Sequence, residues 1–168
     1  MEIKVSLYEK SKIYEEMLKK NFGKDLELCL VPGKTIVIKL TENNKIVGTI
    51  CFIDNKDLIK FMRENNEDAL NNYSLRAIKG GHIYNFAVNK KFRGKGYGYK
   101  LIKICMNVLK RLEYKYCHCH VKNKSVSKKM FSKLGFIEEN VINNETRVND
   151  KCSFDEDNNL VNMTSWII

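Results

Sequence analysis

The sequence predicts a single α/β domain, spanning residues 1–168, that is built on a mixed β-sheet. The chain has 168 residues, 43% of them apolar and 30% charged, and this size and composition suit one hydrophobic core. Two β-branched runs, 35–40 and 45–53, flank a polar four-residue turn and predict a β-hairpin. From residue 82 onward, apolar strands alternate with amphipathic helices in the order β-α-β-α-β-β. Together these observations indicate a sheet with helices packed against it.

The first half of the chain begins with a strand over 2–8, where apolar and polar residues alternate. A helix follows, with Ser11 as a possible N-cap and an end at Phe22-Gly23. The sequence then predicts a short strand over 26–30, the hairpin, and a helix over 55–70.

The second half predicts four further strands around two helices. The first helix ends near Leu112 and is amphipathic, with Leu, Ile, Cys and Val on one face and Lys and Arg on the other. The second helix covers 125–134 and is followed by Gly135 at the C′ position. The strands span 82–88, 114–121, 136–142 and 160–168.

The positive charge is concentrated in the middle of the chain. The formal net charge is +10, but residues 85–133 carry fourteen Lys and Arg against one acid, Glu113. A basic centre predicts a polyanionic ligand, which could be nucleic acid, a membrane surface or a phosphorylated cofactor. No apolar run approaches the ~20 residues of a membrane-spanning helix, and the N-terminus has charges where a signal peptide would be apolar. We therefore expect a cytoplasmic protein that does not bind membranes.

A glycine-rich turn between a predicted strand and a predicted helix narrows the class of polyanionic ligand. We call residues 93–98 the glycine turn; Arg and Lys lie beside its three glycines. Amides at a helix start lack intrahelical partners, and the helix dipole adds positive charge there. Glycines let phosphate oxygens approach such a backbone closely. The turn therefore predicts diphosphate binding.

Two common diphosphate motifs do not fit the glycine turn. A Walker A loop needs Gly-Lys followed by Ser or Thr, and no such triplet stands at the required spacing. A dinucleotide fingerprint needs G-x-G-x-x-G and an acid about 20 residues further on, whereas the glycines here alternate at 94, 96 and 98.

The glycine turn, Arg93-Gly94-Lys95-Gly96-Tyr97-Gly98, instead resembles the R-x-x-G-x-G signature of the GNAT superfamily of acyl-CoA-dependent N-acyltransferases. The preceding residues 85–88 resemble the fourth strand of that family. Residues 119–121, Asn123 and 130–136 resemble its fifth strand and fourth helix.

The resemblance implies a mostly antiparallel sheet of six to seven strands, with splayed central strands and about four flanking helices. It implies acetyl-CoA as cosubstrate, with its pantetheine arm along the fourth strand and its diphosphate on the glycine turn. Asn123 would lie near the pantetheine, although its residue type also suits a helix cap. The implied cofactor-binding residues are Phe86, Ala87, Val88, Arg93, Gly94, Lys95, Gly96, Tyr97, Gly98 and Asn123.

The resemblance also implies a reaction, the direct attack of a primary amine on the acyl thioester in a ternary complex. Such a step needs a general base and donors for the oxyanion. His120 is the predicted base, because an imidazole titrates near neutrality, and Tyr84 is the second candidate. Phe131 stands where the family usually has a tyrosine that acts as general acid, so Tyr116, Tyr114 or water would replace that acid, or CoA would leave as the thiolate. The acceptor would be a small cationic amine, a sugar amine or a protein amine.

Other functions are less favoured by the residues. On a strand, Cys117 and Cys119 would face away from His118 and His120, so these four side chains could not converge on one zinc ion, and we predict no metal. Aromatic residues among the basic ones also permit a nucleic-acid-binding domain, but alternating glycines have no role in base stacking. The phenylalanine at 131 permits a non-catalytic acyl-CoA-binding protein. A homodimer through residues 160–168 is possible.

Overall fold

The computed structural model describes residues 1–22, 30–64, 79–139 and 160–167. In these residues it has seven strands, four α-helices and a short 3-10 turn over Lys90–Phe92. The strands are β1 (Glu2–Leu7), β2 (Ile36–Glu42), β3 (Lys45–Asp54), β4 (Gly80–Val88), β5 (Tyr116–Lys122), β6 (Ile137–Glu139) and β7 (Leu160–Trp166). The helices are α1 (Lys12–Phe22), α2 (Asn55–Glu64), α3 (Tyr97–Arg111) and α4 (Val126–Lys133).

The strands form one sheet in the order β1-β2-β3-β4-β5-β7-β6. Every neighbouring pair is antiparallel except β4 and β5, which run parallel. The predicted hairpin is β2–β3, and its turn residues Asn43 and Asn44 have positive φ angles of 49° and 59°, as tight hairpin turns require. The mostly antiparallel, mixed α/β sheet with four helices is therefore confirmed.

The two faces of the sheet carry different helices. The main core lies on the α3 and α4 face, where Phe52 and Ile83 pack with Leu101 of α3 and Phe131 of α4. On the opposite face, α1 packs against β2 and β3, and α2 packs on the neighbouring Ile53. Phe52 and Ile53 thus point to opposite faces, as consecutive strand residues do.

The end of α4 explains the Leu-Gly-Phe sequence that follows it. Gly135 has a φ of 86°, and the amide of Phe136 donates to the carbonyl of Phe131 at 3.1 Å, which is a Schellman ending. The rings of Phe131 and Phe136 pack with their centroids 4.9 Å apart. The helix and its C′ glycine are confirmed. At the other end, Ser125 caps the helix by accepting from the Lys128 amide at 3.1 Å, so the possible role of Asn123 as that cap is wrong.

One strand boundary differs from the prediction for a local reason. β5 begins at Tyr116 rather than Tyr114, because the Tyr114 amide donates to the carbonyl of Leu109 at 3.0 Å and closes the end of α3. The intervening Glu113 has a φ of 61°. The predicted strand over 26–30 lies almost wholly outside the described residues, as do the ends of the helix predicted over 55–70 and of the strand predicted over 136–142.

Candidate active site

The two central strands separate part-way along the sheet. β4 and β5 pair only from Gly80–Ile83 to Tyr116–Cys119. Beyond this point, 84–88 of β4 and 120–122 of β5 have no pairing with each other, although β4 stays paired with β3 and β5 with β7. The gap that opens between them is the splay of central strands that the resemblance implies.

A β-bulge at Asn85 marks the start of this gap. Tyr84 is opposite Cys51 on β3, whereas Ala87 is opposite Thr49, so β4 has one extra residue here. Asn85 adopts the positive φ of 47° that accommodates this extra residue. The bulge brings Phe86 to the α4 side, where its ring is 5.7 Å from that of Phe131. Sequence reasoning missed the bulge, for which an Asn in an apolar strand was the available signal.

The glycine turn connects the open end of β4 to α3. Gly94 and Gly96 have φ angles of 79° and 77°, and an added Cβ at either would have no atom within 4 Å. They are therefore required for backbone conformation rather than for space. Gly96 is the N-cap of α3, and no side chain caps the helix or places an acid in its first turn. The first amides of α3 are thus available to an anion.

Gly98 has a packing role as well. A Cβ on Gly98 would lie 3.0 Å from the Met130 sulfur of α4 and 3.1 Å from the Phe86 ring of β4. The absence of a side chain therefore lets the start of α3 sit close to both elements. This close packing holds the glycine turn beside the gap.

The two basic residues of the glycine turn behave differently. The Arg93 Nε donates to the carbonyl of Val88 at 3.0 Å, so this side chain ties the turn back to the end of β4. Lys95 is exposed, with its ammonium 5.9 Å from the Phe92 ring centroid. Lys90 and Lys91 are also exposed. The turn therefore carries a positive surface, in which Arg93 has a structural as well as an electrostatic role.

Asn123 lies in the turn after β5 and is exposed. Its side-chain oxygen accepts from the Lys128 ammonium at 2.6 Å, and Lys128 also pairs with Glu138 at 2.6 Å. The amide nitrogen of Asn123 takes no part in this contact.

On the opposite face of the sheet, the three histidines of the chain come together. His82 on β4 has its ring centroid 4.8 Å from that of His118 and 5.2 Å from that of His120, both on β5. His118 and His120 are 6.0 Å apart. We call these residues the histidine cluster. The predicted base His120 belongs to it, while sequence reasoning missed His82 and His118, although their strand parity was the signal that could have found them.

Tyr84, the second predicted base, forms the wall beside the cluster. Its ring stacks on His82 at 5.6 Å, and its hydroxyl shares a hydrogen bond with that of Thr35 at 2.7 Å. It also packs against Ile53 and Leu58.

A buried hydrogen-bond chain supports the cluster from the side of α2. His118 Nε2 is 3.1 Å from the side-chain oxygen of Asn55, the first residue of α2. The Asn55 amide nitrogen donates to the Tyr116 hydroxyl at 2.6 Å. Asn55 and His118 are both buried, with 4% and 3% of their surface exposed. Sequence reasoning missed Asn55 because its position at a helix start gave no sign of this contact.

The environment of His82 disfavours its charged form. Burial lowers the pKa of this imidazole well below the ordinary 6.5, and the charge of His120 lowers it further. A neutral His82 is therefore the form present at neutral pH.

This depressed pKa predicts that the protein is less stable in acid. Below about pH 6.5 the unfolded chain binds a proton that the folded His82 does not, so the free energy of unfolding should fall by up to about 1.4 kcal/mol per pH unit. We expect His82→Gln to reduce this slope in urea unfolding measured between about pH 7.5 and 5. Equal slopes for the wild type and His82→Gln would contradict the prediction.

The cysteines of β5 lie on the α3 face, away from the histidine cluster. Burial raises the pKa of the Cys117 thiol to about 12 and that of Cys119 well above its usual range. Reactive thiolates are therefore disfavoured at both positions. The opposite orientations predicted for the cysteines and histidines are confirmed. In the described ranges, no group of three or more His, Cys, Asp or Glu is arranged to hold a metal ion.

Comparison with known proteins agrees with this geometry. The acetyltransferase (GNAT) family model matches residues 5–136. A GNAT family acetyltransferase from Elizabethkingia anophelis, solved with acetyl-CoA bound, is 17% identical with a TM-score of 0.66 over 98% of this chain and 97% of that one. A Bacillus subtilis acetyltransferase in complex with CoA is 13% identical with a TM-score of 0.68 over 99% and 100%. No protein of curated function matches the sequence.

The fold and the glycine turn thus define an acyl-CoA-dependent acyltransferase. The chain belongs to the acetyltransferase (GNAT) family. None of its described helices is long and apolar enough to cross a membrane.

Proposed function

We propose that this protein transfers an acetyl group from acetyl-CoA to a primary amine, by direct attack in a ternary complex. The observation that carries the proposal is the uncapped start of α3, which follows the half of β4 that is paired with β3 but not with β5. A diphosphate bound there would place an extended thioester arm along the gap between β4 and β5. The backbone of Phe86, Ala87 and Val88 would bind that arm, as the resemblance implies.

The residues of the glycine turn would hold the diphosphate. Amides of 94–98 would donate to its oxygens, and the exposed Lys95 would add charge that is free to follow the ligand. Arg93 would act from its position against Val88. Asn123 would approach the pantetheine with its amide nitrogen.

An imidazole of the histidine cluster would take the proton of the amine. His120 is the member that the sequence predicts, and Tyr84 would shape the acceptor pocket or serve as second candidate. The cluster and Tyr84 share one face of the sheet at the level where β4 and β5 part. The acceptor, whether a small cationic amine, a sugar amine or a protein amine, would enter on this face.

Phe131 packs in the main core, so transfer would proceed without a tyrosine acid at this position. It is 1% exposed and packs between Phe86 and Phe136, so the phenyl ring has a structural place in the main core. A thiol of pKa near 8.5 is a tolerable leaving group as thiolate. The alternative, a non-catalytic acyl-CoA-binding protein, has the same core and differs only in turnover.

We expect acetyl-CoA to bind in titration calorimetry and CoA to be released when an amine is added. The assay detects free thiol with DTNB against polyamines, aminoglycosides, sugar amines and lysine or N-terminal peptides. Binding without release from any amine would favour the non-catalytic alternative. Binding of an oligonucleotide in place of acetyl-CoA would favour the nucleic-acid alternative and overturn the proposal.

A further inference from the structure

We propose that Nε2 of His82 is the atom that accepts the proton of the amine, and that His118 and Asn55 are positioning residues that hold it ready. This inference rests on the proposed acetyl transfer and names the base within the histidine cluster. It differs from the prediction of His120, and the two assignments lead to different results in the experiments below.

The contact with Asn55 determines which ring nitrogen of His118 carries the hydrogen. The Asn55 amide is oriented by its nitrogen, which donates to the Tyr116 hydroxyl at 2.6 Å, and its oxygen can only accept a hydrogen bond. His118 Nε2, 3.1 Å from that oxygen, must therefore carry a hydrogen. A neutral imidazole has only one N–H, so Nδ1 of His118 has a lone pair.

The tautomer of His118 in turn determines which ring nitrogen of His82 carries the hydrogen. The Nδ1 atoms of His82 and His118 are 3.4 Å apart, a long but direct contact. Two lone pairs facing each other at this distance would repel, so His82 must place its own hydrogen on Nδ1. The lone pair of neutral His82 is then on Nε2. Among the described residues, His82 has no hydrogen-bond partner other than His118.

His82 lies near the end of the paired part of β4 and β5. It is paired with His118 one position before the last β4–β5 pair, Ile83 with Cys119, so its ring lies where the strands begin to part. Tyr84 stacks on one side of the ring and His120 lies 5.2 Å away. His82 thus occupies the centre of the cluster, in contact with both side chains that the sequence predicts as bases.

This arrangement has the form of a general base. An imidazole whose Nδ1–H is held by an acceptor offers Nε2 in the correct tautomer, which is the logic of a catalytic histidine in hydrolytic triads. When Nε2 takes a proton, the Nδ1–H of the imidazolium becomes a charge-assisted donor to His118. The contact therefore stabilises the protonated state that forms during the reaction, more than the resting state.

The amine nitrogen forms a bond to the thioester carbon, and its proton passes to His82 Nε2. The carbon–sulfur bond then breaks with its electron pair on sulfur, and the proton passes from His82 through water to the CoA thiolate. The products are an N-acetyl amine and CoA, and His82 is neutral again.

Burial and the neighbouring His120 favour an uncharged His82 ring. Burial and the charge of His120 hold the pKa of His82 well below 6.5, so Nε2 stays unprotonated through the neutral range. The carboxylate of Asp57 on α2 pairs with Lys34 at 3.3 Å. Among the described residues, the ionisable groups packed on this face include Tyr84 of β4, Tyr116, His118 and His120 of β5, Cys51 of β3, Lys39 of β2, Tyr14 of α1 and Tyr8 just before α1.

Nitrogen NMR of the histidine-labelled protein tests the tautomers without any acceptor. The chain has only three histidines, and the single variants His82→Gln and His120→Gln assign them. At neutral pH we expect His118 to be protonated on Nε2 and His82 on Nδ1. A His82 that is protonated on Nε2, or on both nitrogens, would overturn the inference.

Kinetics test the role of His82 against that of His120. We expect His82→Gln to lower kcat by about 100-fold or more, with acetyl-CoA affinity unchanged, and His120→Gln to lower it by less than about 10-fold. The reverse order would assign the base to His120. Absence of acetyl transfer by the wild type would refute the proposed function itself and the base assignment with it. A His82→Gln protein whose kcat falls by less than about 10-fold refutes only the assignment.

Asn55 variants test the relay. Asn55→Asp keeps an acceptor for His118 and a residue type that is favourable at the start of a helix. We therefore expect this variant to retain most of kcat. Asn55→Leu removes the acceptor, and we expect kcat to fall by about 10-fold or more while the KM for acetyl-CoA changes little. In Asn55→Leu the nitrogen spectrum should show mixed tautomers for His118 and His82. Unchanged tautomers in a folded Asn55→Leu protein would overturn the relay.

Discussion

Replacing Gly96 by aspartate is expected to weaken acetyl-CoA binding by about a thousandfold. Gly96 is the N-cap of α3, so a carboxylate there would lie at the position proposed for the diphosphate. Two like charges 4 Å apart near a protein surface repel by about 4 kcal/mol, and each 1.4 kcal/mol is about a tenfold change in affinity. The measurement is the dissociation constant of acetyl-CoA by titration calorimetry.

Asparagine at the same position is the matched control. Asp and Asn have the same shape, and both tolerate the positive φ of 77° better than most residues. We expect Gly96→Asn to weaken binding by only about tenfold, because it adds bulk without charge. A negative charge is favourable at a helix start, so Gly96→Asp should change the free energy of unfolding by no more than about 1 kcal/mol. Equal affinities of the two variants would show that the diphosphate does not bind at this turn.

Replacing Gly81 by alanine is expected to lower the free energy of unfolding by at least about 3 kcal/mol. An added Cβ would be 2.3 Å from the Phe52 ring and 2.4 Å from the carbonyl oxygen of Ile53. The ring can shift, but the carbonyl belongs to the backbone of β3 beside β4. The closed end of the gap would have to deform, because Gly81 is also paired with Cys117 of β5. Urea unfolding of the variant measures the loss.

Two further variants separate the causes of that loss. Gly33→Ala has no atom within 4 Å of the added Cβ but has a φ of 73°, so it should lose only the backbone strain of about 1–2 kcal/mol. Combining Gly81→Ala with Phe52→Leu relieves the ring contact but not the carbonyl contact, and we expect it to leave most of the loss. A Gly81→Ala protein as stable as Gly33→Ala would show that β3 and β4 are not so closely packed.

The two halves of β4 have different pairing partners. Its first half is paired on both sides and holds the strands together, whereas its second half is paired only with β3. The bulge at Asn85 changes which face each side chain reaches, so Phe86 joins the main core while Tyr84 and His82 stay on the opposite face. One strand thus supplies residues both to the proposed binding site of the pantetheine arm and to the proposed acceptor pocket.

Features that depend on neighbouring residues were predictable from the sequence. The Asn43-Asn44 turn, the amphipathic face of α3 and the Schellman ending at Gly135 follow from local conformational preference and helical or strand periodicity. The bulge at Asn85 was not predictable in this way, since it is defined by the register of β4 against β3. The sequence predicted the electrostatic role of Arg93 but not its structural role, because its hydrogen bond to the Val88 carbonyl depends on how the turn folds back.

The sequence by itself determined the order of most elements, the glycine turn and the acetyltransferase family. Only the tertiary structure decided which side chains meet, because His82 and His118 are 36 residues apart and Asn55 is 63 residues from His118. The proton positions inferred for these residues depend on hydrogen bonds between separate strands and a helix. No periodicity or local preference encodes such a bond, since it exists only once β4, β5 and α2 have packed together.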